Sequence, residues 1–256
     1  MVDDYRKIDD APVNRSHSSS DDFDKYMLEH CDNDDRLGFV RKVYGILATQ
    51  LTLTFGFVAV VKSSTTLDAT FQTDPTYAGI AIAASVLALV TECALLCCRK
   101  VARKSPTNYI MLTIFTLCWV YMVGWICAMY SAEVVITASL MTMVLTVALT
   151  AFAMFTKADF TMCGPFMCWA LLIICTISIT MSIVCMFCWQ FYEVWYPFAC
   201  GLGVIIYGIF LICDTQMIIG GRRYQLSIDD YIVGALILYL DIIMIFLELL
   251  KLFGRK

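Results

Sequence analysis

Four acidic side chains interrupt long apolar runs of this 256-residue chain: Glu92, Asp214, Asp241 and Glu248. No Lys or Arg lies well inside any of those runs. If the runs cross a bilayer, each carboxylate costs about 2.5–3.5 kcal/mol at mid-depth, so such groups usually face a cavity or a partner. At a helical rise, Glu92 and Asp214 sit roughly 9 and 8 Å from one edge of their runs, and Asp241 roughly 15 Å. Asp214 and Asp241 belong to consecutive runs joined by one link, so they are expected to pack side by side, with helix tilt closing the difference in depth. Two carboxylates meeting in low dielectric cannot both ionise cheaply. They would share a proton and titrate as a unit, which makes a pH sensor. Deprotonated, the pair is a stop for a cation. Ca²⁺ prefers about six to eight oxygens, so the site would be weak and partly hydrated, suited to passage rather than storage. The bland alternative is an acid that stays protonated and bonds a neighbouring Ser, Thr or Tyr, and for Glu92 alone it weighs as much. Glu248, one turn before Lys251, reads as an interfacial or paired charge.

Other polar residues in the runs read as packing. Thr52, Thr54, Thr113, Thr137, Thr142, Thr146 and Thr150 fit helix–helix contacts, as does Cys200-Gly201-Leu202-Gly203 with Gly208. The Met residues are soft packing. Of thirteen cysteines, most lie in or beside apolar runs, where a cysteine is a small hydrophobe. Cys185 and Cys188 have CxxC spacing without His partners, which argues against metal. Cys97 and Cys98 beside Arg99 and Lys100 resemble S-acylation sites at a membrane edge. No cofactor is expected beyond transient Ca²⁺.

The elements that position these residues follow from hydropathy. The chain is 60% hydrophobic and 16% charged, with a mean hydropathy of +0.76. Soluble domains carry about 25% charged residues. Seven runs are each long enough to cross roughly 30 Å of hydrocarbon as a helix: Val43–Val61, Tyr77–Cys98, Tyr109–Tyr130, Val134–Phe155, Phe166–Trp189, Tyr196–Ile219 and Tyr231–Phe253. Unbroken runs of this length exclude a β-barrel, whose strands alternate over about ten residues. Pro75, Pro106, Pro165 and Pro197 are expected in or beside links. Trp189, Trp195, Tyr196 and Tyr231 suit interfacial anchors. The lipid bilayer is the first partner this implies.

Charge sets orientation. Residues 1–35 hold eleven acidic and four basic side chains, and their Asp/Ser-rich composition predicts a disordered tail. No basic, aromatic-interleaved patch suggests nucleic acid. With the N-terminus cytosolic, ten of the fourteen remaining Lys and Arg fall on the cytosolic face. The sequon at Asn14 would then stay unglycosylated. Lys251, Arg255 and Lys256 resist this placement: either the charge rule fails there or the last segment does not fully cross.

Several segments, in order, resemble the transmembrane Bax inhibitor motif family, with the lifeguard branch the nearest in character. They are Arg41-Lys42-Val43-Tyr44-Gly45-Ile46-Leu47; Phe155-Thr156-Lys157-Ala158-Asp159-Phe160-Thr161; Asp214-Thr215-Gln216 through Gly221; and Asp229 through Ile243, containing Tyr239 and Asp241. The resemblance covers residues 36–256. It implies an all-α membrane protein: a seven-helix bundle with the last helix central and wrapped by six others. It also implies a pH-sensitive Ca²⁺ leak from internal stores (endoplasmic reticulum or Golgi, with the plasma membrane as the alternative) and suppression of cell death. The family's paired aspartates fall on Asp214 and Asp241; the intramembrane arginine that latches an aspartate in some relatives has no counterpart here. Partners implied are Ca²⁺, protons, apoptosis-regulating membrane proteins and a second copy of the chain.

Three function classes remain open. A leak channel uses the two aspartates, with Glu92, as ion pathway and pH sensor. A non-conducting adaptor inhibits death through protein partners. An intramembrane aspartyl protease also needs paired aspartates, but Asp214 follows Cys213 and Asp241 follows Leu240, without the Gly-Asp context. A non-enzyme is therefore expected.

Overall fold

The computed structural model describes residues 33–163 and 189–254. The acidic tail up to residue 32 and the fifth run, Phe166–Trp189 with Pro165, Cys185 and Cys188, lie outside them, apart from the helical residue Trp189. Among the described residues every regular element is a helix: α1 Asn33–Ser63, α2 Thr65–Thr73, α3 Pro75–Cys97, α4 Arg99–Arg103, α5 Thr107–Ala128, α6 Ala132–Phe155, α7 Trp189–Ile219 and α8 Tyr231–Phe253. Single 3₁₀ turns cover Phe160–Cys163 and Ile228–Asp230. Six of these helices are long and apolar enough to cross a membrane.

The breaks have local causes. Asp74 accepts from the Thr76 N–H and Pro75 opens α3, so one orphan donor is capped and another is absent. After α7 the chain turns through Gly220 and Gly221 at φ 83° and 71°, a backbone state glycine adopts without steric cost.

The termini of α1, α5 and α8 define two ends of the bundle. At the proximal end, where α1 starts, Arg103 pairs with Asp230 through Nε–Oδ1 at 2.8 Å and Nη2–Oδ2 at 3.0 Å. Lys42 Nζ lies 5.7 Å from the Tyr231 ring centroid. At the distal end Lys62 Nζ donates to Asp68 Oδ1 (2.7 Å) and the Tyr130 carbonyl (2.8 Å), and Gln72 clasps the Ala128 carbonyl (2.7 Å). These bonds fold α2 over the end of α5.

The last helix is the most enclosed of the six, 72% of its apolar window being buried. It packs against α7, α1, α6 and α5, whereas α3 packs chiefly on α5. Phe115, Tyr239, Phe246, Leu236, Ile243 and Leu250 are among the core residues around it.

Several expectations are revised. The last segment is a continuous 23-residue helix that runs the length of the bundle and brings Gly254 against the Tyr130 ring. Pro197 lies inside α7, because that helix begins at Trp189 rather than near Tyr196. Two links are helical, as α2 and α4. Thr54 and Thr142 are buried, but Thr52, Thr113 and Thr137 point outward and donate to their own helix carbonyls four residues back. Gly203 lets α7 approach Glu248, whose Cγ would lie 2.9 Å from an added Cβ, and Gly208 meets Leu149; Gly201 faces open space and packs nothing. Glu248 is paired as expected, with Lys251 at 2.8 Å.

Candidate functional site

The site is built by the antiparallel pair α7 and α8. On α7 the buried residues Leu211, Thr215 and Ile218 flank Asp214; on α8 Gly234, Leu238, Asp241 and Ile245 recur on the face turned to it. Gly234 makes the close approach possible: an added Cβ would stand 3.3 Å from Val43 and 3.5 Å from Ile218. Ile218 is thus level with Gly234, three residues inside α8. That offset removes roughly 3 Å of the expected difference in depth. The Asp214 and Asp241 carboxyls face each other across the seam, close enough to interact electrostatically. Asp241 is buried, 7% exposed, and its Oδ2 has no hydrogen-bond partner. Asp214 is half-buried. Among the described residues no Lys, Arg or His pairs with either aspartate. Two carboxyls this close in low dielectric cannot both ionise cheaply.

Glu92 does not join the pair. It is half-buried on α3, the helix that packs chiefly on α5. Among the described residues no group of three or more His, Cys, Asp or Glu side chains gathers as a metal cluster.

A clasp closes the proximal end beneath Asp214. Gln216 accepts from the Phe160 N–H (2.9 Å) and donates to the carbonyls of Ala158 (2.9 Å) and Ala153 (3.4 Å). Asp159 accepts from Thr161 Oγ1 (2.6 Å), the Thr161 N–H (3.0 Å) and the Arg223 N–H (3.2 Å). The Thr161 hydroxyl, foremost among these, holds the Asp159 carboxyl below its ordinary value. Lys157 is exposed and contributes only its carbonyl, which accepts from Arg222 Nη1 at 3.1 Å. The Tyr44 hydroxyl faces Thr215 Oγ1, which makes no hydrogen bond of ordinary geometry. Arg41 and Lys42 are exposed and stand apart from the aspartates.

Arg36, read from the sequence only as an orienting charge, caps the end of α7. It donates from Nη2 to Met217 O (2.7 Å), from Nε to Ile219 O (3.1 Å) and from Nη1 to Leu226 O (3.0 Å). A Cβ on Gly220 would fall 2.7 Å from its Nε, so the left-handed glycine also makes room for the guanidinium. The signals available were a basic residue just ahead of an apolar run and a Gly-Gly after another; nothing local joins them across 183 residues.

Deeper in the bundle a second polar chain links three helices. The Tyr239 hydroxyl meets Thr54 Oγ1 (2.9 Å), Thr54 donates to the Gln50 carbonyl (2.8 Å), and Gln50 Nε2 donates to Thr116 Oγ1 (2.8 Å). Beside it a cavity of about 890 Å³ opens between α1 and α6 at Lys62, Ser63 and Ala132. Its walls are mainly apolar, with Thr142 and Thr146 among them, and it reaches Ile242, the residue after Asp241.

Comparison with known proteins agrees with the geometry. The family model described as Inhibitor of apoptosis-promoting Bax1 matches residues 36–256. Human Protein lifeguard 3 is 35% identical over 218 residues, 85% of this chain and 68% of that protein. The mouse protein of the same name is 34% identical over 86% of this chain and 70% of its own length. Arabidopsis thaliana Protein LIFEGUARD 4 is 32% identical over 85% of each chain. With six apolar membrane-length helices and a match running from Arg36 to the last residue, this integral membrane protein belongs to the Bax inhibitor and lifeguard family.

Proposed function

We propose that this protein is a pH-sensitive Ca²⁺ leak pathway of intracellular membranes, endoplasmic reticulum or Golgi, that lowers store Ca²⁺ and inhibits apoptosis. The observation carrying the proposal is the apposition of Asp214 and Asp241: two carboxyls meeting within a membrane bundle, one oxygen unpartnered and, among the described residues, no Lys, Arg or His paired with them. With a proton between them the helices α7 and α8 stay closed together. Loss of that proton leaves two repelling charges, which favours separation and admits a partly hydrated cation. The cavity ending at Ile242 supplies the lumenal approach, and its apolar walls oppose hydration while the pair is closed.

The N-terminus is placed in the cytosol. The last helix is the axis of seven, Phe166–Trp189 being the further crossing. This count is supported by connectivity: Cys163 follows α6 at the proximal end, and α7 starts at the distal end. Glu92 is left as a half-buried carboxyl on the pathway's outer helix rather than a member of the pair. The family description, an inhibitor of apoptosis-promoting Bax1, supports the role in cell death.

The test is Ca²⁺ flux through purified protein in liposomes across pH, wild type beside Asp214→Asn and Asp241→Asn. Flux that rises with pH in the wild type, with a changed or abolished pH response in both variants, is expected. Flux and pH response unchanged in both remove the pair from the mechanism. No flux at any pH, together with protection of cells, favours the adaptor.

A further inference from the structure

We propose that Cys97 and Cys98 are S-acylated, each thiol carrying a long-chain fatty acyl group as a thioester. The inference rests on the cytosolic placement of the proximal end given above. Both thiols are free and exposed, as is Cys93, whereas Cys118, Cys127, Cys200 and Cys213 are buried in packing.

The backbone gives the pair its place. α3 ends at Cys97, and Cys98 leaves the helix at φ −107°, ψ 83°. At 23 residues α3 spans the hydrocarbon, which puts both thiols at its proximal boundary. Cys93 lies one turn deeper on the same helix. The chain then continues into α4, where Ala102 is buried and Arg103 is tied to Asp230. That anchorage holds the Cys97–Cys98 step at a fixed height. Lys100 and Lys104 are exposed beside it and suit lipid phosphates.

The neighbouring surface suits the product. Ile82, Val86, Leu89, Val90 and Leu96 are exposed on α3, a helix held chiefly by α5. In a bilayer that face meets acyl chains, so a chain tethered at its proximal end lies along it without displacing protein.

The donor is a long-chain fatty acyl-coenzyme A. The cysteine sulfur attacks the thioester carbonyl, the bond from that carbonyl to the coenzyme sulfur breaks, and a new sulfur–carbonyl bond forms on Cys97 or Cys98. The proton from the cysteine leaves with coenzyme A as its free thiol. No oxidant or reductant is consumed, and a membrane acyltransferase accelerates the exchange. Acylated, the end of α3 carries two added tethers besides its contact with α5.

The full-length protein is expressed in cells fed an alkyne-bearing palmitate, and label on the purified chain is read before and after hydroxylamine. Hydroxylamine-sensitive label is expected on the wild type. Each of Cys97→Ser and Cys98→Ser keeps part of it, Cys97→Ser/Cys98→Ser loses it, and Cys93→Ser keeps it. Gel filtration of the double variant checks that it remains folded. Label persisting in the double variant overturns the assignment. Membrane-impermeant maleimide, added to sealed microsomes after hydroxylamine, separates the two readings. Thiols reached from the cytosolic side in a chain that never takes label overturn acylation alone. Thiols that react only from the lumenal side overturn the orientation, and acylation with it.

Discussion

Asp241 Oδ2, Thr215 Oγ1 and Gln50 Oε1 are among seven buried side-chain atoms of the described residues without a hydrogen-bond partner. An orphan of this kind is costly where no water reaches it. Asp241 Oδ2, unpartnered at the α7–α8 seam beside Asp214, is the residue-scale argument for a site that changes state. The Tyr239–Thr54 contact is of the opposite kind, since both hydroxyls are bonded. Tyr239→Phe removes one hydroxyl while Thr54 keeps the Gln50 carbonyl, so a loss of about 0.6–1 kcal/mol is expected. Thermal unfolding in detergent measures it, with Ca²⁺ flux retained. Asp159 is a control for pH. Its carboxyl titrates below the ordinary value because Thr161 and the Arg223 N–H hold the charged form. A depressed group stabilises the fold above its unfolded pKa and loses that contribution only as pH falls through the folded one. From about pH 5 to 8 Asp159 is therefore always ionised. Asp159→Asn is expected to lower thermal stability while leaving the pH midpoint of flux in place. A shifted midpoint would move the sensor into the clasp.

At the scale of elements, α7 depends on its ends more than on its propensity. Its last carbonyls would be exposed to a low-dielectric edge without Arg36. Arg36→Lys supplies a point charge that cannot reach three carbonyls in fixed directions. A loss of about 1–3 kcal/mol is expected, together with faster hydrogen exchange over residues 217–226. Unchanged exchange in this segment would mean that the cap is incidental. Gln216 binds the same helix to the loop after α6, so the proximal clasp joins α6, α7 and α1 below the aspartates. An opening that parts α7 from α8 has to work against this clasp. The distal bonds of Lys62 and Gln72 play the same part for α1, α2 and α5.

For the whole molecule, the enclosure of α8 within α1, α5, α6 and α7 gives an acid on that helix neighbours on most sides, while α3 and its cysteines stay at the periphery. The proposed topology has a direct consequence for glycosylation. The sequon at Asn14 is expected to remain unmodified, and one appended after Lys256 to gain a glycan, read as an endoglycosidase-sensitive shift on a gel. Modification at Asn14 would invert the protein and exchange the cytosolic and lumenal roles of the clasp and the cavity. In this topology the basic C-terminus lies outside and breaks the charge rule, with α8 long enough at 23 residues to cross in full.

Hydropathy is a local property, so the chain by itself determined that it is helical and lies in a membrane, and where its described long helices run to within a few residues, apart from the early starts of α1 and α7. Depth along consecutive runs, also a local count, is what marks Asp214 and Asp241 as a candidate pair. Contacts between segments far apart in the chain belong to the tertiary structure alone: Arg36 on the end of α7, Gln216 on the loop after α6, the Thr54–Tyr239 bond, and the cavity that stops at Ile242. Each depends on the rotation and tilt of packed helices. Those are set by small residues such as Gly124, Gly203 and Gly234 meeting particular side chains, and no periodicity within one helix encodes which side chain arrives.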